Sequence, residues 1–196
     1  SFLNKTKRLS YFLGINQDGA DAMKNIYNLY TKTNNYPNLD KYFYSKSNKV
    51  PTNPVLLIFD NEQKSQRPLK TFLSYIKQKE QINSNEAKKI VSNLYIVTNP
   101  LVRNKEECEI EDLFDDATLS HIINGKAFSR DDNYDKSLYY GKSYFANYIS
   151  SNYLMIDFEN FKPFLDTINK AIDEYKKNSV SNLAQNNECR NSVLTK

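Results

Sequence analysis

Apolar residues occur along this chain in two spacings, as short continuous runs and as helical repeats. Residues 54–59 have no polar interruption before Asp60, which predicts a strand covered on both faces, as in a parallel sheet. Residues 9–13 and 94–97 form shorter runs that predict two more strands. Apolar residues three and four positions apart predict two helices, one on Met23, Ile26, Tyr27 and Tyr30 and one on Leu69, Phe72, Leu73 and Ile76.

The order of these elements predicts the fold class. Strands and helices alternate, so we expect an α/β domain whose small parallel sheet is flanked by helices. Residues 31–53 are rich in Asn, Lys, Tyr and Ser, and we interpret them as a long surface excursion.

The C-terminal half is predicted to be mainly helical. Helical spacing predicts one helix near residues 111–123, another near 141–149 and a long one that ends near residue 177. Residues 1–178 are therefore predicted to form one domain, and the polar, aperiodic residues 179–196 a disordered tail.

Composition excludes several classes of protein. The chain has 39% hydrophobic residues and a mean hydropathy of −0.71, which suits a packed core under a polar surface. No apolar run approaches the ~20 residues of a membrane span, and no secretory signal is visible. Two cysteines far apart indicate a reducing compartment, so we expect a cytoplasmic protein. The single histidine, His121, excludes a two-histidine metal site.

The first candidate for chemistry is the carboxylate pair that follows the strongest strand. Asp60 and Glu62 lie two positions apart, so in extended backbone their side chains would project to the same side. Parallel sheets bind ligands at the carboxyl ends of their strands, and paired carboxylates there suit Mg²⁺ or Mn²⁺. The alternative is that Asp60 caps a turn and Glu62 is solvated.

Two further features follow the third predicted strand. Residues 106–116 hold seven carboxylates in eleven positions, and Glu111 and Asp112 are framed there by apolar neighbours. A solvated acidic face is the alternative reading of this stretch. Tyr140-Gly141-Lys142 precedes a predicted helix, where the lysine could stabilise a phosphate oxyanion or be an ordinary surface residue. Without a glycine-rich stretch or a preceding strand, it is not a P-loop.

Over residues 1–177 these features resemble, in the same order, the Toprim-like domain fused to the C-terminus of some bacterial retron reverse transcriptases. The resemblance implies a Rossmann-like core and divalent-metal-dependent phosphodiester chemistry in antiphage defence. The blocks that carry it are Leu-Gly-Ile-Asn-Gln-Asp-Gly-Ala-Asp (13–21), Pro-Val-Leu-Leu-Ile-Phe-Asp-Asn-Glu (54–62), Asn-Leu-Tyr-Ile-Val (93–97) with Ile-Glu-Asp-Leu-Phe (110–114), and Tyr-Gly-Lys (140–142).

The resemblance also implies roles for four residues. Asp60 matches the first aspartate of the family's Asp-x-Asp metal-binding pair, and Glu62 stands where the second aspartate is usual. Glu111 matches a glutamate of nuclease-type Toprim domains, where it would be a metal ligand or general base. Lys142 would stabilise charge. The implied cofactor is Mg²⁺ or Mn²⁺, and the implied partners are nucleic acid, either DNA or RNA, and the reverse transcriptase domain of the parent chain.

Several departures from the family affect the expected activity. Residues 1–12 contain nothing like the family's leading Glu-Gly-Lys-Thr-Asp motif, and the chain begins at Ser1 rather than Met. We therefore expect an N-terminally incomplete domain that is folded but catalytically silent alone, and whose open sheet edge would favour homo-oligomers. The Tyr-x-Asp-Asp turn of a polymerase is also absent, because Asp131-Asp132 follow Ser129-Arg130 in a polar loop.

The alternative function is a non-catalytic module that binds nucleic acid or docks onto the polymerase. The replacement of the second aspartate by Glu62 and the missing glutamate motif favour this alternative. Exposed aromatic rings could then stack on unpaired bases, and the best candidates are Tyr36, Tyr42, Phe43 and Tyr44.

Overall fold

A computed structural model describes residues 7, 10, 11, 19–31, 38–47, 49–64 and 66–193, and for residues 20, 39, 40, 43 and 180–193 it describes the backbone alone. Its helices are α1 (Gly19–Thr31), α2 (Leu39–Ser47), α3 (Pro68–Tyr75), α4 (Asp116–Leu119), α5 (Lys142–Asn152) and α6 (Lys162–Val193). Its strands are β1 (Val55–Phe59), β2 (Lys88–Val91), β3 (Leu94–Thr98), β4 (Ala127–Phe128) and β5 (Tyr139–Tyr140). Short 3₁₀ helices span Ile110–Leu113, Tyr153–Met155 and Glu159–Phe161.

The two strongest apolar runs form adjacent strands of the main sheet. Its strand order is β1-β3-β2, and β1 pairs with β3 in parallel from Val55 opposite Leu94 to Phe59 opposite Thr98. The strands predicted at residues 54–59 and 94–97 are therefore confirmed. The fold is mixed α/β, with a second, two-stranded sheet formed by β4 and β5.

The prediction of a wholly parallel sheet is wrong because of β2. This strand pairs antiparallel with β3, and only Ser92 and Asn93 separate the two. Ser92 has a φ of 50°, a left-handed conformation that is typical of tight hairpin turns. The strand was not predicted because its sequence, Lys-Lys-Ile-Val, is half charged and has no clear alternation.

Helices α1 and α3 pack on the main sheet, and both match the predicted helices. Leu69, Phe72 and Leu73 of α3 are buried against the sheet, and Pro68 begins the helix, where its missing N–H is tolerated. The apolar face of α1 packs against the same core through Met23, Ile26, Tyr27 and Tyr30.

A second core lies under the C-terminal half. Phe114, Tyr140 and Phe145 are buried together, and the rings of Phe128 and Phe145 stack with centroids 4.3 Å apart. The predicted helix at residues 141–149 is confirmed as α5. This second core anchors both the start of α5 and the acidic segment that precedes Phe114.

Several local predictions are wrong for the residues that the structure describes. Ser10 and Tyr11, inside the predicted strand 9–13, are helical. The surface excursion 31–53 contains a helix, α2, that the sequence did not predict. The predicted helix 111–123 is divided, because Phe114 is extended and the Asp115 side chain accepts a hydrogen bond from the Thr118 N–H at 2.9 Å, which starts α4.

The last helix is longer than the sequence predicts. Its backbone stays helical to Val193, where a disordered tail is predicted from residue 179. Among the described helices, none combines the length and the apolar character needed to cross a membrane.

Candidate functional site

Parallel pairing brings the carboxyl ends of β1 and β3 to one edge of the sheet. Asp60 follows β1 and Asn99 follows β3, so the two side chains meet there. The Asn99 Nδ2 donates a hydrogen bond to Asp60 Oδ1 at 2.8 Å. The Asn61 side chain, also buried, donates to the Asn99 carbonyl oxygen at 2.9 Å. The Asn99 amide therefore holds the Asp60 carboxylate, and the Asn61 amide holds the backbone of Asn99.

The acidic segment returns to the same edge through a short antiparallel bridge. Asn61 and Cys108 exchange backbone hydrogen bonds of 2.8 and 3.0 Å. The backbone N–H of Ile110 then donates to Asp60 Oδ1 at 2.9 Å. These bonds place Glu109 and Glu111, on either side of Ile110, next to Asp60, some fifty positions earlier in the chain.

Lys142, the first residue of α5, lies next to these carboxylates. The carboxylate cluster thus consists of Asp60, Asn99, Glu109, Glu111 and Lys142. The Lys142 Nζ lies 3.0 Å from Glu109 Oε2 and 3.3 Å from Glu111 Oε1. Burial lowers the pKa of Lys142, but the hydrogen bond to Glu109 and the charge of Glu111 outweigh it and raise the pKa above its ordinary value. The lysine is therefore a firmly charged ammonium between two carboxylates.

Gly141 allows the start of α5 to lie against Tyr134. A Cβ on Gly141 would lie 2.7 Å from the ring and hydroxyl of Tyr134, so a side chain there would push Tyr134 aside. The residue before Lys142 is Tyr140 of β5, so a short strand does precede this Gly-Lys pair, contrary to expectation.

The pKa of Asp60 is raised above its ordinary value. Burial raises its pKa, and the charges of Glu111 and Glu109 add to the effect, against the opposing hydrogen bond from Ile110. The hydrogen bonds that Asn99 and the Ile110 N–H donate to the Asp60 side chain both reach Oδ1. Oδ2 is the oxygen with which Asp60 could bind a cation.

Glu62 lies at the border of this cluster and has a partner of its own. It is buried, and its Oε1 lies 3.3 Å from Arg67 Nη1. Burial raises its pKa, the charge of Arg67 opposes the shift, and Glu109 and Asp60 reinforce it. Its backbone N–H donates to the Asp60 carbonyl at 3.0 Å, so the two residues do not continue β1 as the extended pair that the sequence predicts.

Asp112 has a structural role, separate from the cluster. Its Oδ1 lies 2.5 Å from both Lys105 Nζ and Arg130 Nη1, and its Oδ2 accepts the Glu109 N–H at 2.9 Å. These contacts hold the short 3₁₀ helix in position. Glu109 caps this helix and Glu111 lies within it, so Asp112 orients both residues without contacting Lys142 itself.

Two residues of the cluster were not identified from the sequence. Glu109 was one of seven acids in residues 106–116, and nothing in its spacing distinguishes it. Asn99 was assigned no role from the sequence. A polar residue directly after a buried strand was the available signal, and it applied to Asn99 as much as to Asp60.

Unsatisfied buried oxygens indicate that the cluster suits a cation. In the described part of the chain, no hydrogen-bond donor reaches Glu111 Oε2 or Asn99 Oδ1, although both atoms are buried. No set of three or more His, Cys, Asp or Glu side chains within the described ranges is arranged to hold a metal ion. The carboxylate oxygens of Asp60 and Glu111 are hard donors, the type through which Mg²⁺ binds to one or two carboxylates.

The buried thiol beside this site is chemically inert. Burial raises the pKa of Cys108 to about 11, so the thiolate that nucleophilic chemistry requires is scarce at neutral pH. Cys108 therefore contributes its backbone bridge to Asn61 and no chemistry of its own.

No protein-family model matches this chain, and no solved structure matches it at a significant level.

Proposed function

We propose that this chain is a nuclease-type Toprim effector domain of a retron reverse transcriptase, which carries out divalent-metal-dependent phosphodiester chemistry in antiphage defence. The observation that supports this is the convergence of Asp60, Glu111 and Lys142 at the carboxyl end of β1. All three belong to blocks that resemble the Toprim-like domain. Because of this resemblance, we also propose a Rossmann-like Toprim core.

The residues present suit Mg²⁺ or Mn²⁺ in this role. Asp60 would be the principal ligand, and Glu62 and Glu111 are the further candidates. Mg²⁺ commonly binds through one or two carboxylates and completes its shell with water and substrate phosphate. When bound, such an ion polarises a phosphate and lowers the pKa of a coordinated water.

The remaining residues supply positioning and charge. Asn99 and the Ile110 N–H hold the Asp60 carboxylate, which reduces the entropy lost when it binds a ligand. Glu111, buried next to Asp60, could accept a proton from an attacking water, and Lys142 could neutralise charge that develops on a phosphate oxygen. The arrangement thus contains a base and a cation beside the carboxylate that would bind the metal.

Replacing Asp60 with asparagine is expected to weaken Mn²⁺ binding at least about tenfold, which corresponds to about 1.4 kcal/mol. The change removes a negative charge and keeps the size of the side chain and its hydrogen bonds from Asn99 and Ile110. Free Mn²⁺, measured by electron paramagnetic resonance during a titration, gives the affinity. Asp173→Asn, an exposed acid on α6, is the matched control.

Equal Mn²⁺ binding by the wild type and the Asp60→Asn variant would contradict the metal site. A second arm adds single-stranded DNA or RNA, whose phosphates should tighten Mn²⁺ binding by the wild type only. Robust cleavage of either nucleic acid by this chain, abolished by Asp60→Ala, would support the nuclease directly and contradict the expectation that it is silent alone.

The second candidate function, a non-catalytic nucleic-acid-binding or polymerase-docking module, is favoured by the surface of α2. Tyr42 and Tyr44 are 52% and 47% exposed, as rings that stack on unpaired bases would be. Phe43 and Tyr36 lie outside the described side chains. Nucleic-acid binding that does not depend on Mn²⁺ or on Asp60 would favour this function over the nuclease.

A further inference from the structure

Lys142 occupies the place in the carboxylate cluster that a divalent cation would take. Its ammonium lies within 3.3 Å of carboxylate oxygens from both Glu109 and Glu111, and its charge also reaches Asp60. Glu111 is 8% exposed, and its second oxygen, Oε2, has no hydrogen-bond donor among the described residues. One positive charge thus lies near three carboxylates, and one buried carboxylate oxygen has no hydrogen-bond donor among the described residues.

The surroundings of Lys142 offer its side chain a second position. The side chain is 44% exposed, so its motion is not blocked by packing. It also borders an open cavity of about 280 Å³ at the start of α5, which Tyr134 and Tyr144 line. Asp131 and Asp132 line the same cavity, so two more acidic residues border the space that Lys142 lines.

We propose that Lys142 is an internal competitor for the divalent cation, held by Glu109 and Glu111 until a cation displaces it towards Asp131 and Asp132. The cation would then bind through one or two of the carboxylates in this cluster, and Glu109 becomes a candidate ligand beside Asp60 and Glu111. The proposal rests on the proposed function in one respect, that a divalent cation binds at this cluster. Because two cations cannot share these carboxylates without strong repulsion, the affinity for the metal includes the cost of displacing the lysine.

Removing the ammonium is the direct test. Lys142→Met keeps the length of the side chain and deletes its charge, and we expect Mn²⁺ to bind about tenfold more tightly than to the wild type. Lys142→Arg keeps the charge and is expected to bind Mn²⁺ no more tightly than the wild type. Lys142→Gln gives a second neutral variant in case the methionine variant folds poorly.

Lys162→Met is the matched control for loss of a positive charge. Lys162 is also the first residue of a helix and also forms an ion pair, 2.6 Å from Asp166. It is not part of the cluster, so its removal should leave Mn²⁺ affinity within about twofold of the wild type, since an exposed ion pair contributes little. A rise of the same size in both methionine variants would mean that only net charge matters, which would overturn the proposal.

The outcomes separate this proposal from the proposed function. Tighter Mn²⁺ binding by Lys142→Met, together with Mn²⁺ binding by the wild type that single-stranded DNA or RNA does not tighten, would support the competitor and count against the nuclease. Cleavage that depends on Asp60, with equal or weaker Mn²⁺ binding by Lys142→Met, would overturn the competitor and leave the nuclease standing. Absence of Mn²⁺ binding by every variant would overturn both.

Discussion

Replacing Asp112 with asparagine is expected to destabilise the protein by about 2–4 kcal/mol. The carboxylate is 4% exposed, and Oδ1 lies 2.5 Å from both Lys105 and Arg130. An amide cannot neutralise these two cations, and its NH₂ group would face either them or the Glu109 N–H. Loss of a buried ion pair commonly costs more, but both cations are about a third or more exposed, so water screens part of the loss.

The effect of Asp112→Asn should depend on pH. Burial raises the pKa of Asp112, but the hydrogen bonds from Lys105 and Arg130 outweigh it and lower the pKa below its ordinary value. The stabilising contribution is therefore complete above the unfolded pKa, about 3.9, and is lost as the pH falls through the lower folded value. Urea denaturation at pH 7 and pH 3 measures this, and the difference between wild type and variant should shrink at pH 3.

Asp116→Asn is the matched control for this prediction. Asp116 lies 3.5 Å from Arg103, but it is 89% exposed, so its loss should cost less than about 1 kcal/mol. If Asp112→Asn were as harmless as this control, the paired cations would not hold the acidic segment in place. The account of how Glu109 and Glu111 are oriented would then be wrong.

Replacing Phe72 with alanine is expected to cost about 3–5 kcal/mol of stability. Phe72 is 0% exposed at the centre of the main core, where its ring lies 5.1 Å from that of Phe59 and 6.3 Å from that of Tyr27. The ring therefore joins α3 to both β1 and α1. Its removal leaves a cavity that the sheet, fixed by backbone hydrogen bonds, cannot collapse to fill.

Equilibrium unfolding of Phe72→Ala and of Thr71→Ala measures this effect. Thr71 is the preceding, exposed residue of the same helix, so its replacement reports helix propensity without a change in the core. We expect the control to stay within about 0.5 kcal/mol of the wild type. A loss below about 1 kcal/mol for Phe72→Ala would mean that α3 does not pack on the sheet as described.

Local patterns along the chain are sufficient to predict the main core. The strands β1 and β3 are continuous apolar runs, and α1 and α3 carry helical repeats. The spacing of apolar residues therefore distinguishes these strands from these helices. The strand β2 fails this test because half of its residues are lysines, and it forms only because β3 offers an edge to which it can pair. The single helix predicted at residues 111–123 is also wrong, because the Asp115 cap starts a new helix where the apolar spacing predicts a continuous one.

The candidate site, like the fold, is only partly predictable from the sequence. That Asp60 stands at the carboxyl end of a buried strand follows from the sequence alone, because the strand and its direction can be read from the apolar run. Its partners could not be chosen from the sequence, since seven acids follow β3 at similar spacing. The bridge between Asn61 and Cys108 sets which of them face Asp60, and the second core sets where Lys142 begins α5. Contacts between residues thirty to fifty positions apart depend on chain packing, which local periodicity does not encode.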